Sequence, residues 1–144
     1  MTGSLQLEAR HDATPLDIDA IEARLYEFNR TAIGRHDGQG LGFVLREAGG
    51  AIVGAANGYS WAGIAELKQL WVDERCRGRG HGRALLQAFI AEARRRDVRR
   101  IWVASYDFQA PALYEKAGFT RRAELAGWPD SHTNVILCLD LDAG

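Results

Sequence analysis

The fold of this chain is decided by residues 70–83, which read Leu-Trp-Val-Asp-Glu-Arg-Cys-Arg-Gly-Arg-Gly-His-Gly-Arg. An apolar run ends at Val72, three glycines then alternate with basic residues, and a helical apolar pattern begins after Gly82. This order predicts the end of a strand, a glycine-rich turn and the first turn of a helix. Glycine adopts positive φ readily and lets a ligand approach the main chain closely.

The same stretch has the composition of an anion-binding site. A helix that begins there presents free N–H groups and the positive end of its dipole, which together bind phosphate. The spacing is G-x-G-x-G, which differs from the dinucleotide fingerprint G-x-G-x-x-G, and no Lys-Ser or Lys-Thr follows as in a P-loop. We therefore expect a phosphate-rich molecule to be held by the backbone and the basic side chains of Arg77, Gly78, Arg79, Gly80, His81, Gly82 and Arg83.

Toward the N-terminus, the sequence predicts a strand, a helix and three antiparallel strands. Apolar and polar residues alternate from Leu5 to Ala9, which predicts a short first strand. Thr14 followed by Pro15 is typical of a helix start, and an apolar stripe at helical spacing continues to about Arg30. After a polar, glycine-rich loop, turn signals separate three further apolar runs, which predict a hairpin and a third antiparallel strand at 43–47, 52–61 and 64–72.

Toward the C-terminus, a helix over Gly82–Arg96 leads to a buried strand at Ile101–Ser105. Strand–helix–strand crossovers are right-handed and join parallel strands, so 64–72 and 101–105 should be parallel. The prediction is a single α/β domain over residues 1–144, a mixed, mostly antiparallel sheet with helices on both faces. Its last elements are a short helix at Ala110–Lys116 and strands at Phe119–Glu124 and Asn134–Leu141.

Composition narrows the class of protein. At 144 residues, with 47% apolar and 26% charged residues, the chain suits one globular domain. Met1–Arg10 has no signal-peptide pattern and no apolar run reaches membrane-spanning length, so we expect no membrane partner. Two cysteines, Cys76 and Cys138, are too few and too far apart for a disulfide framework or a metal knuckle, which favours a cytoplasmic setting.

The net charge of −1 conceals a basic segment, because residues 75–100 contain nine arginines and only two acidic residues. Such a segment can bind nucleic acid, but aromatic residues do not interleave with these arginines and the whole chain is not basic. We therefore expect no nucleic-acid partner. We interpret Arg94, Arg95 and Arg96 as the solvated last turn of a helix, where cations suit the dipole.

Two motifs together resemble the GNAT N-acetyltransferase superfamily. The first is Arg77-x-x-Gly80-x-Gly82 after a strand, and the second is Leu113-Tyr114-Glu115-Lys116-Ala117-Gly118-Phe119 after the next strand. The resemblance covers nearly the whole chain and is greatest to a bacterial branch of general acetyltransferases. It implies the acyl-CoA N-acyltransferase fold, in which the two parallel strands splay apart. It also implies acetyl transfer from acetyl-CoA to a primary amine of a small molecule, by direct attack in a ternary complex.

The resemblance also implies which residues bind acetyl-CoA. The pyrophosphate would lie on the N–H groups of Arg77 to Arg83, and the pantetheine arm would pair with the splayed strand. A main-chain N–H near Leu70 would then face the thioester oxygen. The complete set implied for the cofactor is Leu70, Trp71, Val72, Arg77, Gly78, Arg79, Gly80, His81, Gly82, Arg83, Phe108 and Ala110; no metal is expected.

For catalysis, the resemblance implies that Tyr114 protonates the leaving thiolate, a role that a phenol with an ordinary pKa of about 10 can fill. Glu66 matches the glutamate that acts as general base in some branches, with Asp73, Glu74 and Asp107 as competitors. Many members have asparagine at the position of Asp107, so its contact to the cofactor differs here. His11, His36 and His132 have no ligand spacing between them, which argues against a metal site.

Several alternatives stay open at this stage. The chain could be a non-catalytic acyl-CoA-binding module of the same fold, and protein N-termini or lysines could replace a small amine as acceptor. Trp71 and Trp102 are expected in the core, whereas Trp128, in a loop, is the best candidate for a pocket wall. A homodimer is possible, with the edge of the C-terminal strand as the candidate pairing surface.

Overall fold

A computed structural model describes residues 3–12 and 15–141 of the chain. The chain divides into two compact units, Met1–His36 and Asp37–Gly144. The described part of the first unit contains one α-helix, and that of the second contains the sheet, two further α-helices and a short 3₁₀-helix, Glu74–Cys76. In chain order the elements are α1 (Pro15–Ile33), β1 (Gln39–Arg46), β2 (Ile52–Trp61), β3 (Ile64–Val72), α2 (His81–Arg95), β4 (Arg100–Tyr106), α3 (Pro111–Lys116), β5 (Thr120–Ala126) and β6 (Thr133–Asp140).

The predicted first strand is wrong, because residues 3–10 form no strand. Leu5 and Leu7 are fully exposed. A strand needs a hydrogen-bonding neighbour and an apolar face to bury, and one short alternating run supplies neither. The helix that follows extends to Ile33, one turn beyond the predicted end near Arg30, and the predicted helix cap at Thr14 lies outside the described residues.

The six strands form one mixed sheet in the order β1-β2-β3-β4-β6-β5. All neighbours are antiparallel except β3 and β4, which are parallel and therefore confirm the predicted crossover. Their pairing is short, since it runs only from Ile64 opposite Arg100 to Glu66 opposite Trp102. Beyond that point the two strands have no further paired residues, so β3 and β4 separate toward their carboxyl ends.

A tight hairpin turn brings β3 beside β2. Ala62 and Gly63 are the two residues between the strands, and both have positive φ, 54° and 81°. Two-residue turns of this kind match the twist of the flanking strands, so they fix the register of the pair. The register then places Trp61 opposite Ile64 and Tyr59 opposite Glu66.

The core lies between the sheet and the two helices of the second unit. Helix α2 buries Leu86 and Phe89 completely, and each side chain of this size contributes about 1.5–3 kcal/mol to stability. Tyr114 of α3 belongs to the same buried cluster, so α2 and α3 cover the same face of the sheet. The mixed α/β fold is thus as predicted, and helical cover of the opposite face stays a prediction.

Arg96, at the end of α2, is a structural residue and not part of a solvated helix face as predicted. Its side chain is only 17% exposed. It donates hydrogen bonds to the carbonyl oxygen of Gly40 on β1 at 2.9 Å, to Ser60 Oγ on β2 at 3.2 Å and to Glu92 at 2.9 Å. The C-terminal end of α2 is therefore fastened to two strands.

The C-terminal strand β6 is not an edge strand. It pairs with β4 on one side and with β5 on the other. The proposed pairing surface at the edge of this strand is therefore wrong, because its backbone groups are already used on both sides. The edges of the sheet are β1 and β5.

Candidate active site

A cavity of about 810 Å³ opens where β3 and β4 separate. One wall is the second half of β3, the opposite wall is the second half of β4, and the N-terminal end of α2 closes one side. Helix α3 contributes Leu113 and Tyr114. The cavity therefore brings residues of the two motifs that the sequence singled out, the glycine turn and the motif around Tyr114, to the gap between the parallel strands.

A β-bulge in β3 accompanies the separation of the strands. Asn57 of β2 lies opposite Gln69, but the next residue, Gly58, lies opposite Leu67, so Lys68 is the extra residue. A bulge bends its strand and increases the local twist. A Cβ atom on Gly58 would lie 1.8 Å from the carbonyl oxygen of Glu66, so only glycine accommodates this backbone path.

The glycine turn presents an uncapped helix start to the cavity. Gly80 is the N-cap residue, with φ 83°, and no side chain caps the helix. The first helical hydrogen bond runs from the N–H of Ala84 to the oxygen of Gly80 at 3.0 Å, so the N–H groups of residues 81–83 lie ahead of it. Arg77 Nε donates to the oxygen of Val72 at 3.0 Å and closes the turn onto the end of β3.

Tyr114 lines the cavity from α3 and is 6% exposed. Its ring contacts Phe119 edge-on, with ring centroids 5.6 Å apart. Burial disfavours the phenolate and raises the pKa of Tyr114 to about 12. The phenol is therefore protonated at physiological pH, and it can donate a proton but cannot serve as a base there.

The segment after β4 is held by a network that the sequence did not predict. Phe108 lines the cavity, stacks on Tyr106 with centroids 5.2 Å apart, and meets His132 edge-on at 4.9 Å. Asp107 Oδ1 lies 2.9 Å from His132 Nδ1, and Asp107 Oδ2 accepts the N–H of Thr133 at 3.0 Å. The sequence analysis treated His132 as an isolated loop histidine, but in the structure it contacts both Asp107 and Phe108.

Most of the residues predicted to bind the cofactor line this one cavity. Arg79 does not, and neither does the predicted base Glu66. Glu66 is half-buried and forms the last residue pair before β3 and β4 separate. The predicted residues in the lining are Leu70, Trp71, Val72, Arg77, Gly78, Gly80, His81, Gly82, Arg83, Phe108, Ala110 and Tyr114.

The aromatic predictions need correction. Trp71 is 45% exposed and lines the cavity, so its assignment to the core is wrong. It lies beyond the last β3–β4 pair, so β2 flanks it on one side and β4 does not pair with it on the other. Trp128 is 56% exposed but does not line the cavity, so the structure does not support it as a wall of this pocket.

Other lining residues were missed by the sequence analysis. Gln69 is one, and its amide is oriented by Asn57, whose Nδ2 donates to Gln69 Oε1 at 2.8 Å. Ser105 is another; it is 3% exposed and is the second-last residue of β4. The available signal was Gly58 in the middle of a strand, since an interior glycine often marks a bulge or a close backbone approach.

Asp73, one of the competitors for the base role, is already engaged. Its Oδ1 accepts hydrogen bonds from the backbone N–H and the side chain of Arg75, which hold the pKa of Asp73 below its ordinary value. Within residues 3–12 and 15–141, no group of three or more His, Cys, Asp or Glu side chains could hold a metal ion. No helix in the described part of the chain is long and apolar enough to cross a membrane.

Splayed parallel strands, an open helix N-terminus and a buried phenol thus meet in one cavity. The sequence profile of the acetyltransferase (GNAT) family matches residues 6–119. The chain belongs to this family and is an acetyl-CoA-dependent N-acetyltransferase.

Individual relatives agree with the family assignment. Blasticidin-S acetyltransferase of Streptomyces morookaense is 33% identical over 98 residues, which cover 66% of this chain and 68% of that protein. An acetyltransferase from Bacillus cereus has the same fold, with a TM-score of 0.76 and 23% identity over 93% of this chain and 98% of its own. A Bacillus anthracis protein of this fold, solved in complex with acetyl-CoA, has a TM-score of 0.62 and 19% identity over 72% and 63% of the two chains.

Proposed function

We propose that the enzyme acetylates a primary amine of a small molecule, and that the amine attacks acetyl-CoA directly while both are bound. The observation that carries this proposal is the continuous cavity from the helix start at Gly80 to the phenol of Tyr114. It combines an anion site with a proton donor, as a thioester substrate with a phosphate-bearing tail requires.

The glycine turn is suited to the pyrophosphate. The N–H groups of residues 81–83 are free of helical acceptors, and Arg77 and Arg83 line the same region. A Cβ atom on Gly78 or Gly80 would meet nothing within 4 Å, so open space adjoins the backbone. Both glycines have positive φ, 78° and 83°, which other residues rarely adopt. Arg79 lies outside the lining, and we assign it only a long-range electrostatic contribution.

The second half of β3 is suited to the pantetheine arm. Leu70, Trp71 and Val72 line the cavity, and none of them pairs with β4. Backbone groups on that side of β3 are therefore available to an extended, amide-containing ligand, as an unpaired strand edge is. We propose that a main-chain N–H near Leu70 binds the thioester oxygen and stabilises the charge that develops on it. Phe108 and Ala110 contribute the opposite wall.

We assign Tyr114 as the acid that protonates the departing thiolate. Its raised pKa keeps the proton on the phenol until a stronger base forms beside it. A module that binds acyl-CoA without chemistry would have no use for a buried phenol in the cavity lining.

Glu66 stays a candidate for the general base. It adjoins the point where the strands separate, but its position outside the cavity lining means that a water molecule would have to relay the proton.

The name of the Streptomyces relative supports a small-molecule acceptor. The family match spans both compact units, which supports one functional domain over residues 1–144.

Cys76 and Cys138 are both free, in keeping with a cytoplasmic location. A homodimer is retained only as a proposal, with β5 rather than β6 as the available edge.

The test combines calorimetric titration of acetyl-CoA with a thiol-release assay on benzylamine, spermidine and glycinamide. We expect acetyl-CoA to bind and at least one amine to release thiol in proportion to enzyme. Binding without release from any of these amines, or from an N-terminal peptide panel, would contradict the proposal. Release with a peptide alone would move the acceptor to protein N-termini.

A further inference from the structure

The loop before β6 is tied to the end of β4 by one carboxylate. Asp107 uses both oxygens: Oδ1 lies 2.9 Å from His132 Nδ1, and Oδ2 accepts the N–H of Thr133 at 3.0 Å. The backbone N–H of Asp107 also donates to the oxygen of Thr133 at 2.9 Å. These contacts fix the imidazole ring of His132 relative to the segment that walls the cavity.

Only one ring separates this imidazole from the cavity. Phe108 lines the cavity and meets His132 edge-on, with centroids 4.9 Å apart. The His132 side chain is 47% exposed, and among the described residues Asp107 is its hydrogen-bond partner, through Nδ1. Asp107 engages Nδ1, so Nε2 is the ring nitrogen left for an acceptor, on a half-exposed side chain one ring away from the cavity lining.

We propose that His132, oriented by Asp107, is the general base that deprotonates the acceptor amine. The proposal rests on the acetyl transfer proposed above. A carboxylate that accepts from Nδ1–H selects the tautomer with its lone pair on Nε2 and stabilises the imidazolium that forms. Primary amines bind as ammonium ions and must lose a proton before they attack, and a positioned imidazole is the common solution to that problem.

Atoms and protons balance in this step. The ammonium gives one proton to Nε2 of His132, directly or through one water, and the freed lone pair forms a C–N bond to the thioester carbonyl carbon. The C–S bond breaks, and the departing thiolate takes the phenolic proton of Tyr114. The nitrogen passes its excess proton to the Tyr114 phenolate, and His132 releases its proton to water. The net products are one amide, one thiol and one proton.

The surroundings of His132 favour it over the other candidates. Of the ionisable groups on the two segments that pack together, Asp107 touches the ring, Tyr106 stacks behind Phe108, and Asp130 is exposed in the same loop. Asp73 is held by Arg75. Glu66 and His132 both lie outside the cavity lining, but His132 contacts the lining residue Phe108 and is oriented by Asp107. Both oxygens of Asp107 are already engaged, by the ring of His132 and the N–H of Thr133, so we assign it to positioning the base.

The experiment compares two acceptors that differ in their need for a base. The panel amine that the wild-type enzyme acetylates fastest is an ammonium at neutral pH, whereas hydroxylamine is already unprotonated. For His132→Gln we expect a loss of about 100-fold or more in kcat/KM with the panel amine and a change within about 3-fold with hydroxylamine. His11→Gln serves as the matched control and should change neither rate.

A second variant keeps the shape of the pair and reverses its hydrogen bond. In Asp107→Asn the amide oxygen can still accept from Thr133, but the amide NH₂ then faces Nδ1 of His132 and forces the proton to Nε2. The base loses its lone pair, so the same selective loss should appear while the melting temperature and the acetyl-CoA affinity stay near those of the wild type. This variant keeps the test valid if His132→Gln folds poorly.

The outcomes separate the two proposals. If the wild-type enzyme acetylates none of the amines, the proposed function fails. If it acetylates them but both variants lose equal activity with the amine and hydroxylamine, the pair only shapes the site and the base assignment is overturned. It is also overturned if both variants keep full activity, or if Glu66→Gln alone shows the selective loss.

Discussion

Gly58→Ala tests whether the bulge in β3 creates the cavity. The added Cβ atom would lie 1.8 Å from the carbonyl oxygen of Glu66, 2.9 Å from its carbonyl carbon and 3.2 Å from Leu67 Cα. All three are backbone atoms, so no side chain can rotate to make room. β2 and β3 must move apart by about 1 Å, or the bulge at Lys68 must flatten.

The expected loss of stability follows from the rigidity of those backbone atoms. Overpacking a closely packed site costs about 1–3 kcal/mol, which corresponds to about 3–10 °C in melting temperature for a chain of this length. A flattened bulge would also turn β3 back toward β4 and narrow the cavity. We therefore expect a second effect, a loss of acetyl-CoA affinity of about 10-fold or more, since 1.4 kcal/mol is one factor of ten.

Urea unfolding and calorimetric titration of acetyl-CoA measure the two effects separately. Gly40→Ala is the matched control, because Gly40 lies on β1 of the same sheet and its Cβ would meet nothing within 4 Å. The reasoning is refuted if the two variants have the same stability and the same affinity. Loss of stability with unchanged affinity would show that the bulge matters for packing but not for the cavity.

Three further predictions follow from the site and the core. Tyr114→Phe should keep acetyl-CoA affinity and lower kcat by about 100-fold. It should also make the protein less sensitive to alkali, because burial raises the pKa of Tyr114 from 10.0 to about 12 in the folded state. The wild type should therefore lose about 2–3 kcal/mol of stability as pH rises from 10 to 12, and urea unfolding should show that the variant does not. Gly80→Asp and Gly80→Asn are a matched pair, because both side chains suit an N-cap position and tolerate positive φ but only aspartate is charged. Calorimetry should show that the aspartate variant binds acetyl-CoA about 10-fold or more weakly than the asparagine variant, because of charge repulsion. Arg95 and Arg96 lower the pKa of Glu92 from 4.5 to about 2, so thermal melts of the wild type should lose stability as pH falls between those values, and Glu92→Gln should flatten that dependence.

Local signals in the sequence predicted most of the fold. Apolar periodicity and glycine positions, which are signals between residues close in sequence, predicted the helix over 82–96, the hairpin turns and the strand at 101–105. The observed bounds, His81–Arg95 and Arg100–Tyr106, differ by one residue at each end. The failed strand at Leu5–Ala9 shows the limit of this method, because a strand exists only with a neighbour, and the neighbour is not a local property.

The parts of the site that could not be predicted depend on contacts between distant residues. Asp107 and His132 are 25 residues apart, and their hydrogen bond requires β4 and β6 to be neighbours. Arg96 reaches Gly40 across 56 residues, which no helical pattern reveals. The glycine turn and Tyr114 could be predicted from the sequence because each belongs to a motif that is contiguous in sequence.

The short pairing between β3 and β4 has a mechanical consequence. Three residue pairs join two half-sheets, β1-β2-β3 with α2 packed on them and β4-β6-β5 with α3. A ligand that hydrogen-bonds along the open side of β3 while touching β4 acts as a seventh strand and bridges the halves. If acetyl-CoA binds there as proposed, amide hydrogen exchange in β3 and β4 should slow together when it binds.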